Sequence, residues 1–184
     1  MNTALVIIDV QWTYAAARHP LLLYNVDKQI QLAIKQKLPI FIVNYHGDGP
    51  SVESVTQAIV DYPKYQELWK SDDDGYSILE PYLTELDIDA VRMVGVHTDC
   101  CVLETTQSLH KNKFQPVLIA EGCNTVTTDF QCWDLFYNDF EIEGNIDDGF
   151  KFSNYGEVSY LRKFQSDVSL DWIRFGWPIL NFKG

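Results

Sequence analysis

Short aliphatic and β-branched runs recur along this chain with almost no polar alternation inside them. Thr3 to Val10 stays apolar until Asp9, Ile40 to Val43 follows Pro39, Val91 to Val96 makes a third run and Pro116 to Ala120 a fourth. A strand with one wet face alternates, so runs without alternation read as strands covered on both faces. The stretches between them carry helical periodicity. From Asp27, a suitable cap, to Lys37, apolar Ile30, Ala33 and Ile34 recur on one side while Lys28, Lys35 and Lys37 face water. Ser51 to Val60, Ile78 to Leu86 and Cys101 to about Lys111 read as further helices, and Gly47, Gly49 and Pro50 mark a turn-rich loop. Buried strands alternating with amphipathic helices predict an α/β fold, a three-layer α/β/α domain around a mostly parallel sheet.

With 184 residues, 46% of them hydrophobic, the chain can bury a core, and residues 1–184 are expected to form one domain. After Gly122 the pattern weakens, leaving 123–184 as a divergent C-terminal region. There, acidic Asp139 to Asp148 reads as a solvated loop and Glu157 to Leu161 as an edge strand or a late β segment. Trp172, Phe175, Trp177, Ile179, Leu180 and Phe182 are many large apolar groups for a solvated terminus, so a homo-oligomer with this tail in its contact is expected. The net charge of -12 repels phosphate backbones and anionic lipid, which argues against nucleic acid and membrane partners. No apolar run approaches the ~18 residues of a membrane span, and Met1-Asn2-Thr3 lacks the basic start of a secretory signal. An intracellular, cytoplasmic setting is expected. Four cysteines without a C-x-x-C pair suit reduced thiols better than a disulfide framework or a zinc knuckle.

In open parallel sheets, ligands bind beyond the carboxyl ends of the strands. Asp9 ends the first run, where it either caps a turn or belongs to a site. Val94-Gly95-Val96-His97-Thr98-Asp99-Cys100-Cys101-Val102 leaves the third run and enters a helix, with Thr98 or Asp99 suited to the N-cap. That places Cys100 and Cys101 in the first turn, where unpaired amides and the helix dipole favour a thiolate and could receive an oxyanion. Either cysteine alone could equally be a small buried hydrophobe.

Three motifs in this order resemble the isochorismatase-like cysteine hydrolases, the superfamily that includes nicotinamidases and N-carbamoylsarcosine amidases. Asp9-Val10-Gln11 with Tyr14 is similar to their D-x-Q-x-x-F opening. Lys70 before Gly75-Tyr76-Ser77 matches their isolated lysine, and Gly95 to Val102 matches G-x-x-T-D-x-C-V, continued by Thr105-Thr106. The resemblance covers about Thr3 to Gly122. It implies the isochorismatase-like, Rossmann-like topology, with the first strand beside the one that precedes Cys101. It also implies a catalytic triad of Asp9, Lys70 and Cys101, since Cys101 and not Cys100 holds the cysteine position of the signature. An oxyanion hole from the backbone N–H groups of His97 and Cys101, and a cis peptide between Val96 and His97, follow from the same likeness.

The expected activity is therefore hydrolysis of a small amide or related C–N bond through a thioester, on a small-molecule substrate, with no cofactor. Metal-dependent nicotinamidases carry an Asp-x-His pair with further histidines after the second strand. Here only Asn44, His46 and Asp48 stand in that region, an incomplete set, so no metal is expected. Tyr14 and Trp12 could form an aromatic wall for a flat substrate, and His97 takes a position usually given to a small residue, where it narrows the pocket, binds substrate or packs outward. Asp72-Asp73-Asp74 reads as a solvated charge run, and His19 and His110 as structural or exposed. A silent scaffolding member of the same fold, an isochorismate-type vinyl ether hydrolase and a thiol redox protein are the alternatives.

Overall fold

The computed structural model describes residues 1–125 and the backbone of 141–143. The expected edge strand at Glu157 to Leu161 and the aromatic tail from Trp172 lie outside the described residues. Six strands form one sheet in the order β3-β2-β1-β4-β5-β6, and every pairing is parallel. They are β1 (Thr3–Ile8), β2 (Ile40–Tyr45), β3 (Tyr65–Lys70), β4 (Ala90–Val96), β5 (Gln115–Asn124) and β6 (Glu141–Glu143). Connecting them are the helices α1 (Pro20–Gln36), α2 (Glu53–Ile59), α3 (Tyr76–Glu85) and α4 (Leu103–Lys111).

Strand periodicity explains the three layers. Ala4, Val6 and Ile8 point into a core shared with Leu79, Leu83 and Leu109 of α3 and α4. Leu5 and Ile7 point the other way, among Leu22, Val26 and Ile30 of α1 and Val55 and Ile59 of α2. With both faces of β1 buried, no position along it tolerates water, and the unbroken apolar run is the result. As the resemblance implies, β1 lies directly beside β4, with Ile8 opposite Gly95. Among the described residues no helix is long and apolar enough to cross a membrane.

Several elements differ from the sequence reading. Helix α1 starts at Pro20, well before Asp27, because Pro20 presets the first helical turn and the His19 ring caps it, Nδ1 accepting from the Leu21 amide at 3.3 Å. Asp27 lies on the exposed flank and accepts from Gln31 at 3.3 Å. Strand β3 was not expected at all, since of Tyr65 to Lys70 only Leu68 and Lys70 are buried and the run shows no apolar continuity. β5 continues through Gly122 to Asn124. Within the expected acidic loop, Glu141–Glu143 instead pairs with Val117–Ile119 as a parallel strand, where main-chain bonding needs no apolar sequence.

Gly95 sets the closeness of β1 and β4. Its φ of +140° is a conformation that L side chains rarely adopt, and a Cβ there would run into the backbone of Ile8, lying 2.7 Å from its nitrogen. Gly95→Ala is expected to cost on the order of 3 kcal/mol or more in urea unfolding, whereas a loss near zero would mean that the strand ends are not tightly apposed. Buried His19 offers a second check. Burial lowers its pKa from 6.5 to about 4, so below pH 6.5 the unfolded chain takes up a proton that the folded chain refuses. Stability from this group is intact above pH 6.5 and falls toward pH 4, by roughly 3 kcal/mol in all. His19→Asn, which keeps a capping acceptor, is expected to flatten that part of the stability profile; an unchanged slope would assign it to other groups.

Candidate active site

All five strands from β1 to β5 end on one edge of the sheet, and their terminal residues converge there. Asp9 follows β1, with φ of +51° and an amide that donates to Val43 O at 2.8 Å. Lys70 is the last residue of β3 and is only 2% exposed. Its long side chain reaches past β2, across the Tyr45 ring at 4.5 Å, to place Nζ 2.9 Å from Asp9 Oδ2. The same ammonium donates to the carbonyls of Asp72 at 2.9 Å and Asp73 at 3.3 Å. Apart from the ion pair, neither oxygen of Asp9 has a hydrogen-bond partner among the described residues.

The third member arrives from β4. The bond between Val96 and His97 is cis, as the resemblance implies. The chain then makes a wide π-type turn from Thr98 to Val102 before α4 begins. This differs from the expected capped first turn of an α-helix. His97, not Thr98 or Asp99, occupies the cap position, and its carbonyl accepts from the amides of Cys100 and Val102, both at 3.1 Å. The Thr98 hydroxyl is buried without a partner among the described residues, and Asp99 accepts from Thr125 at 2.5 Å. Cys101 is buried at 6% exposure, Cys100 half-buried, and both are free thiols.

Electrostatics couples the three groups. Burial raises the pKa of the Cys101 thiol, the Asp9 charge raises it further and Lys70 pulls against both. Burial also raises Asp9, with Lys70 opposing. For Lys70, burial works against the charge, yet Asp9 and Cys101 together outweigh it and the pKa rises. The thiol and the ammonium therefore hold their protons more tightly than exposed groups would, and the Asp9 carboxyl is a stronger base than an exposed one.

Around this cluster the structure joins Tyr14 to His97, edge to face with ring centres 5.3 Å apart. The Tyr14 hydroxyl donates to Asp48 Oδ2 at 2.5 Å, and His97 Nδ1 lies 3.5 Å from the Thr125 hydroxyl. Burial lowers the His97 pKa despite nearby Asp99. Trp12 is 43% exposed, with the Arg18 guanidinium over its ring at 5.4 Å. The residues considered for a metal after β2 do not fit one. Asn44 is committed to Glu67 at 2.6 Å and Ser51 at 2.8 Å, the His46 ring lies against Trp69 with centres 5.6 Å apart, and Asp48 receives Tyr14.

Two site residues escaped the sequence reading. Gln11, a bare motif letter there, is fully buried and clamps the loop after β2, donating to the carbonyls of Tyr45 and Gly49 and accepting from the Tyr45 amide at 2.7 Å. Asp73 was read as part of a solvated run, yet it accepts from the Cys101 thiol at 3.5 Å. Its neighbour Asp74 caps α3 through the Tyr76 amide at 2.8 Å and accepts from Ser108 at 2.6 Å. The short loop between the lysine and the next helix was the available signal, since a loop that tight keeps the acids close to Lys70.

Comparison with known structures finds the same architecture. A nicotinamidase from Staphylococcus aureus is 23% identical, with a TM-score of 0.67 over 78% of this chain and 100% of its own. An N-carbamoylsarcosine amidase from Thermoplasma acidophilum is 16% identical, with a TM-score of 0.67 over 78% of this chain and 96% of its own. A ribonuclease from Caenorhabditis elegans is 15% identical, with a TM-score of 0.67 over 100% of this chain and 95% of its own. No curated protein sequence matches significantly. The family model for the isochorismatase domain matches residues 3–138, a span that holds β1 through β5 and the whole cluster of Asp9, Lys70 and Cys101. The chain belongs to the isochorismatase domain family.

Proposed function

We propose that this chain is a hydrolase that cleaves a small, uncharged amide or related C–N bond, with Cys101 as nucleophile, Asp9 as proton carrier and Lys70 as the fixed positive charge between them. The observation that carries this reading is the buried ion pair of Asp9 and Lys70 at 2.9 Å, electrostatically coupled to a buried thiol. Moving the thiol proton to Asp9 shifts a negative charge from carboxylate to sulfur and leaves the net charge of the cluster unchanged. Ionisation in a buried place then costs far less than it would for a lone cysteine.

The thiolate attacks the amide carbonyl, and the oxyanion that forms is received by the backbone N–H groups of His97 and Cys101. Collapse breaks the C–N bond, Asp9 returns the proton to the departing nitrogen, and a thioester remains. Water, giving a proton to Asp9, then attacks the thioester to release the acid, and the thiol recovers its proton. Tyr14 and His97, packed edge to face, form one wall of the substrate site, and Trp12 belongs to its outer rim. An RNA substrate is disfavoured by the net charge of -12 and by the acids Asp9, Asp48, Asp73 and Asp99 around the site. A vinyl ether hydrolase of the isochorismate type would have no use for a coupled thiol.

An amide-library screen for ammonia release supplies the substrate. With it, Cys101→Ala is expected to abolish turnover with little loss of fold, and Cys100→Ala to retain most of it; equal losses would sink the assignment of the nucleophile. Asp9→Asn keeps the shape of the site and is expected to lower kcat by a factor on the order of 10² or more, so an active variant would leave the mechanism without its base. Catalysis by these three side chains needs no metal. Prolonged chelation is expected to leave the rate undiminished, and activity that vanished on chelation and returned with one added metal would overturn this mechanism.

A further inference from the structure

Cys100 has no part in the mechanism above, yet it stands beside the nucleophile and beside Asp73. The two sulfurs and one carboxylate oxygen of Asp73, Cys100 and Cys101 all lie within 4.8 Å of one another. Among the described residues no other set of three histidine, cysteine or acidic side chains comes together in this way. The donors are the ones that thiophilic ions select, two soft thiolates and one carboxylate. Zn–S bonds of about 2.3 Å and Zn–O bonds of about 2.1 Å put tetrahedral sulfur and oxygen ligands about 3.6 Å apart. Cys101 Sγ and Asp73 Oδ1 are already 3.5 Å apart.

We propose that Asp73, Cys100 and Cys101 bind one thiophilic divalent cation, of the class of Zn²⁺ or Cd²⁺, with a fourth position left to water. Each thiol releases its proton to solvent as its sulfur bonds to the metal, and Asp73 contributes its carboxylate. Half-buried Asp73 and Cys100 give the ion a path from solvent, and buried Cys101 closes the inner side. The ammonium of Lys70, held 3.3 Å from the Asp73 carbonyl, offsets the net negative charge of a divalent ion with three anionic ligands. Hard ions such as Mg²⁺ prefer all-oxygen shells and are excluded by the two sulfurs. The consequence for activity rests on the reading of Cys101 as nucleophile: a sulfur bonded to metal cannot attack a carbonyl, so the site makes turnover reversibly sensitive to soft metals.

Cadmium titration of the full chain, reduced and stripped of metal, tests this directly through the ultraviolet charge-transfer absorbance of Cd–thiolate bonds. One equivalent is expected to saturate the band, with Zn²⁺ displacing Cd²⁺ and Mg²⁺ leaving it unchanged. Cys100→Ser is expected to remove about half of the band, and both Cys100→Ser and Asp73→Asn to weaken binding at least about tenfold, since even outer-shell changes at metal sites cost about 10- to 100-fold. Circular dichroism establishes that both variants are folded. No band at one equivalent, or a titration that folded Cys100→Ser and Asp73→Asn leave intact, overturns the proposal by placing the metal on other thiols or nowhere. The absorbance reads binding whether or not the chain hydrolyses an amide. If Cys101→Ala still turned over substrate while the wild-type band behaved as expected, the catalytic reading would fail and the metal site would stand.

Discussion

A carboxylate and an ammonium, both shut away from water, are the constraint around which the rest of this structure is arranged. Removing either ion from water alone costs several kcal/mol, and the attraction between them offsets this only with good geometry and with the remaining N–H groups bonded. The chain meets both conditions. Asp9 and Lys70 are 2.9 Å apart, and the carbonyls of Asp72 and Asp73 take up other donors of the ammonium. Losing one partner would strand the other, a loss of about 3 to 5 kcal/mol in comparable buried pairs. The loop after β3 is therefore tied to the ion pair, because its backbone must turn back onto the lysine that precedes it.

Much of this was legible in the sequence, for a physical reason. A parallel sheet covered on both faces forces unbroken apolar runs, so β1, β2, β4 and the first part of β5 announced themselves, and the topology then brings their ends to one edge. Asp9, Lys70 and Cys101 stood out because the motifs fix their places relative to those strands. Nothing in composition or periodicity would have singled out Lys70, which sits in a strand too wet on one face to be recognised.

What was missed shares a different cause. The roles of Gln11, Asp73 and Asp74 come from loops folding back across long separations, and a polar residue in a loop looks alike in sequence whether it faces solvent or a buried partner. The start of α1 was hidden because Leu21-Leu22-Leu23 does not look amphipathic until α2 and the sheet are known to cover it. β6 depends on main-chain pairing and carried no side-chain signal. The turn at Thr98 to Val102 was placed correctly as a strand-to-helix junction, but its width follows from the backbone path out of β4, which no residue type encodes.

Lys70 closes β3, which ends the order of described strands and bonds only to β2. A strand with one paired flank and a mostly exposed outer face can detach by local opening at a free energy below that of global unfolding. Each such opening would withdraw the ammonium from Asp9 while the paired strands β1 and β4, and with them the thiol, stay folded. A protein still folded by every global measure would then be without its cation for as long as that one strand stood open.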